Sequence, residues 1–101
     1  MTPEKRLLAF QRMVEERPDE PFARYSLAMA LRSAGRDAEA AREFEELRRR
    51  SPHYVPTFLM LGQVLEALGR GEEAAGAYQE GIAQAAHAGN HHARMELSQA
   101  L

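Results

Sequence analysis

The sequence predicts an all-α fold, and three observations carry that prediction. Alanine, leucine, glutamate and arginine dominate while β-branched residues are scarce, so helix is the favoured local state almost throughout. Glycine and proline cut the chain at intervals into short pieces. The pieces then resemble one another when the chain is slid along itself, the mark of stacked supersecondary units. No stretch alternates polar and apolar residues in the manner of a strand.

Six helices are expected, at about 3–17, 21–34, 37–50, 54–68, 71–87 and 91–101. Thr2 can cap the first, with Pro3 in the first turn, where its missing N–H leaves nothing unsatisfied. Leu7, Phe10 and Val14 share one face of that helix. Pro18 and Pro21 bracket the next break, where Asp19 or Glu20 can cap the second helix; Leu27, Ala30, Leu31 and Ala34 form its apolar face. Gly35 separates the second helix from the third. The third ends in "EFEELRRR", whose Glu45–Arg49 and Glu46–Arg50 spacings predict ion pairs on a solvated face. Its last-turn arginines, Arg48 to Arg50, also suit the negative end of the helix dipole. "SPHYVP", around Pro52 and Pro56, precedes the fourth helix, and Gly69-Arg70-Gly71 separates the fourth from the fifth. Gly89-Asn90 marks the last break, with Asn90 as cap of the sixth helix.

Composition narrows the function classes. With 101 residues, 45% hydrophobic and 28% charged, the chain makes one folded domain with a modest core. A formal net charge of −2 supplies no bulk attraction to nucleic acid or an anionic membrane. The three arginines of "RRR" are offset by acids of the same helix, which argues against a nucleic-acid patch. The absence of cysteine removes disulfides, thiol nucleophiles and Cys-ligated zinc. No apolar run reaches the roughly 20 residues that span a bilayer, and none resembles a signal-peptide core, so a cytoplasmic location is the expectation.

Chemistry-bearing residues are few. His53, His87, His91 and His92 are the only histidines. His87 and His91 stand four apart, a spacing that can chelate a metal on one helix face, but Gly89-Asn90 interrupts that helix and no carboxylate is suitably placed. A metal protein or enzyme built on His87, His91 and His92 is therefore the least favoured reading, and exposed polar cap residues the favoured one. Ser26, Ser33, Ser51 and Ser98 lack a strained turn to present a nucleophile. Gly69-Arg70-Gly71 lacks the preceding strand and the Gly-Lys-Ser/Thr ending of a phosphate loop. No catalytic site, metal or cofactor is expected.

The self-similarity is more informative. Gly35 and Gly69 stand 34 residues apart, and that shift lays "AGRDAEAAREF" over "LGRGEEAAGAY". It also places Leu27 on Leu61, Ala28 on Gly62, Leu31 on Leu65, Ala40 on Ala74 and Phe44 on Tyr78. Small residues facing each other (Ala28 with Ala40, Gly62 with Ala74) let two helices come close, and the aromatic four residues on fills the seam to the next pair. The pattern, closed in the first unit by Pro52, resembles the tetratricopeptide repeat (TPR). The resemblance covers nearly the whole chain: residues 3–20 look like the second helix of a repeat, 21–54 and 55–88 like full repeats, and 89–101 like a capping first helix. Two positions depart from it. Arg24 and Phe58 stand where the family often has tryptophan, and Ala86 stands where a closing proline would be, so the fifth helix can run on toward Ala88.

The resemblance implies a short right-handed superhelix of antiparallel helices whose first helices line a hollow. Phe22, Tyr25, Met29, Arg32 and Ser33 would lie there, with Leu59, Gln63 and Glu66 from the second repeat and Ala93 and Leu97 from the last helix. The family's clamp for acidic tails needs Lys and Asn where Tyr25 and Met29 stand, and only Arg94 partly fits it. An apolar hollow built around Tyr25, Met29, Leu59 and Leu97 suits a peptide or protein segment, giving a non-enzymatic interaction scaffold. It equally suits a second copy of the chain, as does an open end of the stack, giving a homodimer.

Overall fold

The computed structural model describes residues 1–101. Six helices follow one another: α1 (Pro3–Glu16), α2 (Pro21–Ser33), α3 (Asp37–Arg50), α4 (Pro56–Ala67), α5 (Gly71–His87) and α6 (His91–Ala100). Each packs against its sequence neighbour, and α6 also touches α4, so the chain is a one-directional stack measuring 35 × 27 × 21 Å. The helix ends lie within two residues of those expected. The largest difference is α4, which begins at Pro56 rather than at residue 54, because a first-turn proline has no N–H to leave unpaired.

The caps are those the residue types dictate. Thr2 Oγ1 accepts from the Lys5 N–H at 3.2 Å, and Asn90 Oδ1 from the Ala93 N–H at 3.0 Å. At α2 Glu20 is the cap, accepting from the Phe22 N–H at 3.2 Å, while Asp19 accepts instead from Arg50 at 3.0 Å. Gly35 and Gly69 close α2 and α4 with φ of 76° and 75°, where a Cβ would be strained. The residue after each glycine donates back to the last turn, Arg36 N–H to Leu31 O at 2.9 Å and Arg70 N–H to Leu65 O at 2.8 Å. Gly69-Arg70-Gly71 is thus the hinge of a helical hairpin.

The core is one continuous cluster. Ala28, Ala40, Phe44, Phe58, Leu61, Leu65 and Ala77 are fully buried within it. The seam follows the repeat: in the second pair Tyr78 lies directly on Gly62, where an added Cβ would stand 2.1 Å from the ring.

Arg24, at the position held by Phe58 one repeat on, is buried to 9% exposure. Its Nη1 pairs with Glu43 Oε1 at 2.8 Å, while its Nε has no partner. Removing the acid would leave a buried cation uncompensated. Glu43→Ala is therefore expected to cost about 2 kcal/mol, a melting-temperature loss of roughly 10 °C. Arg24→Met, which removes the charge and keeps the volume, is expected to be near neutral. Equal losses from the two variants in denaturant melts would reject the ion-pair account.

The outer charges of α3 differ from the expected pairing. Glu46 and Arg50 form their i,i+4 pair at 2.8 Å, but Arg49 turns to Glu46 and Arg48 to Glu45, the latter at 2.7 Å. The expected Glu45–Arg49 pair is not made, since Glu46 offers Arg49 a partner one residue nearer. Hydrogen bonds from Arg49 and Arg50 lower Glu46 from its ordinary 4.5 to about 2. What those pairs add is present above the ordinary carboxylate range and is lost as pH falls toward 2.

Candidate functional site

Two depressions lie side by side, one between α1 and α2 and one across α2, α4 and α6, separated by one aromatic ring. The first, about 390 Å³, lies between α1 and α2 and is lined by Arg6, Phe10, Phe22, Tyr25, Ser26, Met29, Ala30 and Ser33. The second, about 280 Å³, is lined by Tyr25, Val55, Pro56, Leu59, Met60, Asn90, His92, Ala93, Glu96 and Leu97. Tyr25 belongs to both, so together they form one groove.

Tyr25 is positioned by the core beneath it. Its ring stands edge-on to Phe44 at 6.0 Å and to Tyr54 at 5.8 Å, leaving one side half-exposed. Burial raises its hydroxyl pKa above the ordinary value, Tyr54 adds to this and Arg32 opposes it. Tyr25 is thus both groove wall and core edge, and truncating it would remove packing as well as contact surface. Phe22, by contrast, is 58% exposed.

The expected groove residues divide in three ways. Phe22, Tyr25, Met29 and Ser33 line the first depression, and Leu59 and Ala93 line the second. Arg32 and Gln63 lie outside both and are engaged with each other: Arg32 Nη1 donates to Gln63 Oε1 at 2.8 Å and contacts Met60 Sδ at 3.3 Å. Glu66 sits elsewhere, accepting a hydrogen bond from the Tyr78 hydroxyl in a separate depression near Leu101. Burial, and after it Glu66, pushes the Tyr78 hydroxyl pKa well up.

Leu97 requires a correction. It was expected to project into the hollow as a main exposed residue, and it lines the second depression only from its floor: it is 1% exposed, with its Cδ1 turned toward Gly81. A 34-residue register would have buried Met95, the counterpart of Leu61, yet Met95 is 61% exposed. The buried face of the last helix follows a shift of 36, Leu97 matching Leu61; α5 is longer than α3 and the turn after it shorter than the turn after α3, so the 34-residue register is not kept. Two extra residues turn a helix by about 200°, exchanging its inner and outer faces. The same rotation brings His92 and Glu96 to the groove, which the repeat register missed; their Nε2 and Oε1 are 3.3 Å apart. The missing proline at Ala86 was the available signal.

The histidines also group differently from their spacing. His87 ends α5 and His91 begins α6, with Gly89 at φ 70° between them, so the two do not share a helix face. His87 stacks instead on His53, centroids 6.5 Å apart, and His53 Nδ1 is 2.9 Å from Gln84 Oε1. A larger depression of about 740 Å³ lies between α3 and α5, lined largely by charge. Of its arginines, Arg48 is engaged by Glu45 and Glu80, Arg49 by Glu46 and Arg70 by Glu73, while Arg42 forms no ion pair. No helix is long and apolar enough to cross a membrane.

Known structures share this architecture. The crystal structure of a tetratricopeptide repeat domain protein from Salinibacter ruber superposes with a TM-score of 0.76 and 36% identity, covering 80% of this chain and 90% of that one. A solution NMR structure of such a protein from the same organism gives 0.78 and 36%, covering 82% and 84%. The crystal structure of MamA superposes with a TM-score of 0.75 over 97% of this chain and 66% of MamA; at 15% identity that likeness is one of fold alone. No family model and no curated protein matches the chain.

Proposed function

Because the chain belongs to the tetratricopeptide repeat family, we propose that it is a non-enzymatic interaction scaffold that holds a peptide or protein segment in the groove across α2, α4 and α6. The observation that carries this reading is the pair of apolar depressions flanking Tyr25, with Phe22 and Met29 on one side and Leu59 and Met60 on the other. Apolar side chains of a bound segment would enter the two depressions. Arg32, held by Gln63, lies near Tyr25 and can meet a carbonyl or carboxylate of the ligand. Met29 and Met60 can repack around different side chains, which favours a family of related segments over one sequence.

The probe is a displayed library of random peptides selected on the wild-type chain, with affinities of the winners read by fluorescence anisotropy. Leu59→Gln removes half-buried groove wall without disturbing the fully buried core. It is expected to weaken the selected peptides by about tenfold. Failure to select any peptide, or unchanged affinity in that variant, would reject the groove. Sedimentation equilibrium on the same samples tests self-occupancy: a dimer dispersed by Leu59→Gln would place a second copy there instead.

A further inference from the structure

The two depressions beside Tyr25 differ in charge. In the first, Arg6 is the one residue of formal charge; in the second it is Glu96, with histidine counted as neutral at pH 7. No arginine or lysine lines the second depression, and the one ion-pair partner of Glu96 is His92, with Nε2 and Oε1 3.3 Å apart. The cations nearby are turned elsewhere. Arg94 stands two residues before Glu96, about 200° round α6. Arg32, in the last turn of α2, touches Met60 Sδ at 3.3 Å but is held by Gln63 at 2.8 Å, outside the depression. A carboxylate with its side chain 48% exposed thus stands at the edge of a pocket whose other walls are mostly apolar.

We propose that the second depression is a specificity subsite for one lysine or arginine side chain of the bound segment, which lays its stem on Leu59, Met60 and Tyr25 and its cation on Glu96. This rests on the groove reading given above and adds to it the chemistry of the residue that is read. An acid beside an apolar wall is matched by a side chain that is apolar along its length and charged at its tip. An aliphatic side chain would cover the same walls without using Glu96, and an acidic one would be repelled by it. The half-exposed ring of Tyr25 adds to the choice, since a cation passing over its face is attracted to it. The space, about 280 Å³, is smaller than the roughly 300–1,000 Å³ of small-molecule sites and suits one long side chain better than a cofactor. The first depression is unsuited to the same residue, because Arg6 opposes it. The segment is therefore held in one register, with its cationic residue on the α6 side of Tyr25.

The test extends the random-peptide selection to the identity of the winners, on the full chain at about pH 8, above the ordinary range of histidine. Lysine or arginine is expected to recur at one position. Replacing it in a labelled winner by norleucine, which keeps a stem and removes the charge, should weaken binding to the wild type about fivefold. The same replacement should scarcely matter to Glu96→Gln, whose melting temperature verifies that it stays folded. Glutamate at that peptide position should bind Glu96→Lys better than it binds the wild type. Glu72→Gln removes an equal charge from the exposed start of α5 and should leave the preference intact, while high salt should shrink it. Winners without a recurring cation, or a norleucine penalty that persists in Glu96→Gln, would overturn the subsite; the groove would still stand if Leu59→Gln weakens those peptides. Winners indifferent to Leu59→Gln, or no winners, would reject groove and subsite together.

Discussion

Gly62→Leu is expected to destabilise the chain by about 3 kcal/mol or more, a drop of roughly 15 °C in melting temperature. Glycine inside a helix usually disfavours it, and replacement by alanine would normally gain about 1 kcal/mol. The packing reverses that sign here. A Cβ on Gly62 would stand 2.1 Å from Tyr78 Cε1 and 2.4 Å from Cζ, so even alanine requires the ring to leave. The ring cannot move freely, because Tyr78 is 2% exposed and its hydroxyl is bound to Glu66. The offending atoms all belong to the outer ring, which makes the prediction sharper. Tyr78→Ala removes them, so Gly62→Ala should cost far less in that background than in the wild type. A coupling of about 2 kcal/mol in the double-mutant cycle is expected. Strictly additive losses would show that Tyr78 does not oppose a side chain at position 62.

Which features were legible in advance follows from the range of the forces involved. Caps, glycine hinges and the 34-residue register depend on residues close in sequence, and Thr2, Asn90, Gly35 and Gly69 each do what their chemistry requires. The groove was legible where it depends on the same register, as at Tyr25 and Met29 on α2 and Leu59 on α4. At Leu97 the register misjudged exposure: the residue is the depression's buried floor, because α6 does not keep the 34-residue register, and nothing local to α6 announces the change. Arg24 illustrates a different limit. A charged residue at a core position reads as a surface residue until its partner is known, and Glu43 stands on the next helix. Arg32 and Gln63 both carry groove positions by register, yet they satisfy each other, which only the spacing of α2 and α4 reveals.

Gly81 is the second position where one added carbon should have a large effect, and its failure should take the opposite form. It was invisible to the repeat register, because its counterpart in the first pair is Leu47, as Phe58 corresponds to Arg24. The second pair has thus placed a large ring where the first has a paired arginine, and glycine where the first has leucine. A Cβ on Gly81 would meet Phe58 Cβ at 2.4 Å, Phe58 Cγ at 3.0 Å and Leu97 Cδ1 at 3.0 Å. The terminal methyl of Leu97 can turn aside, but a Cβ moves only with its backbone. Gly81→Ala must therefore part α4 from α5, at an expected cost of about 3 kcal/mol. Truncation cannot relieve it: Phe58→Ala, itself expected to cost about 4 kcal/mol as a buried aromatic, retains the clashing Cβ. The Gly81–Phe58 cycle should be close to additive where the Gly62–Tyr78 cycle is strongly coupled. Because α6 rests on Gly81 through Leu97, hydrogen exchange in Gly81→Ala should rise first in α6, ahead of α2 and α3. Rescue by Phe58→Ala, or loosening confined to the α4–α5 hinge, would mean that the ring rather than the backbone of α4 sets the distance to α5.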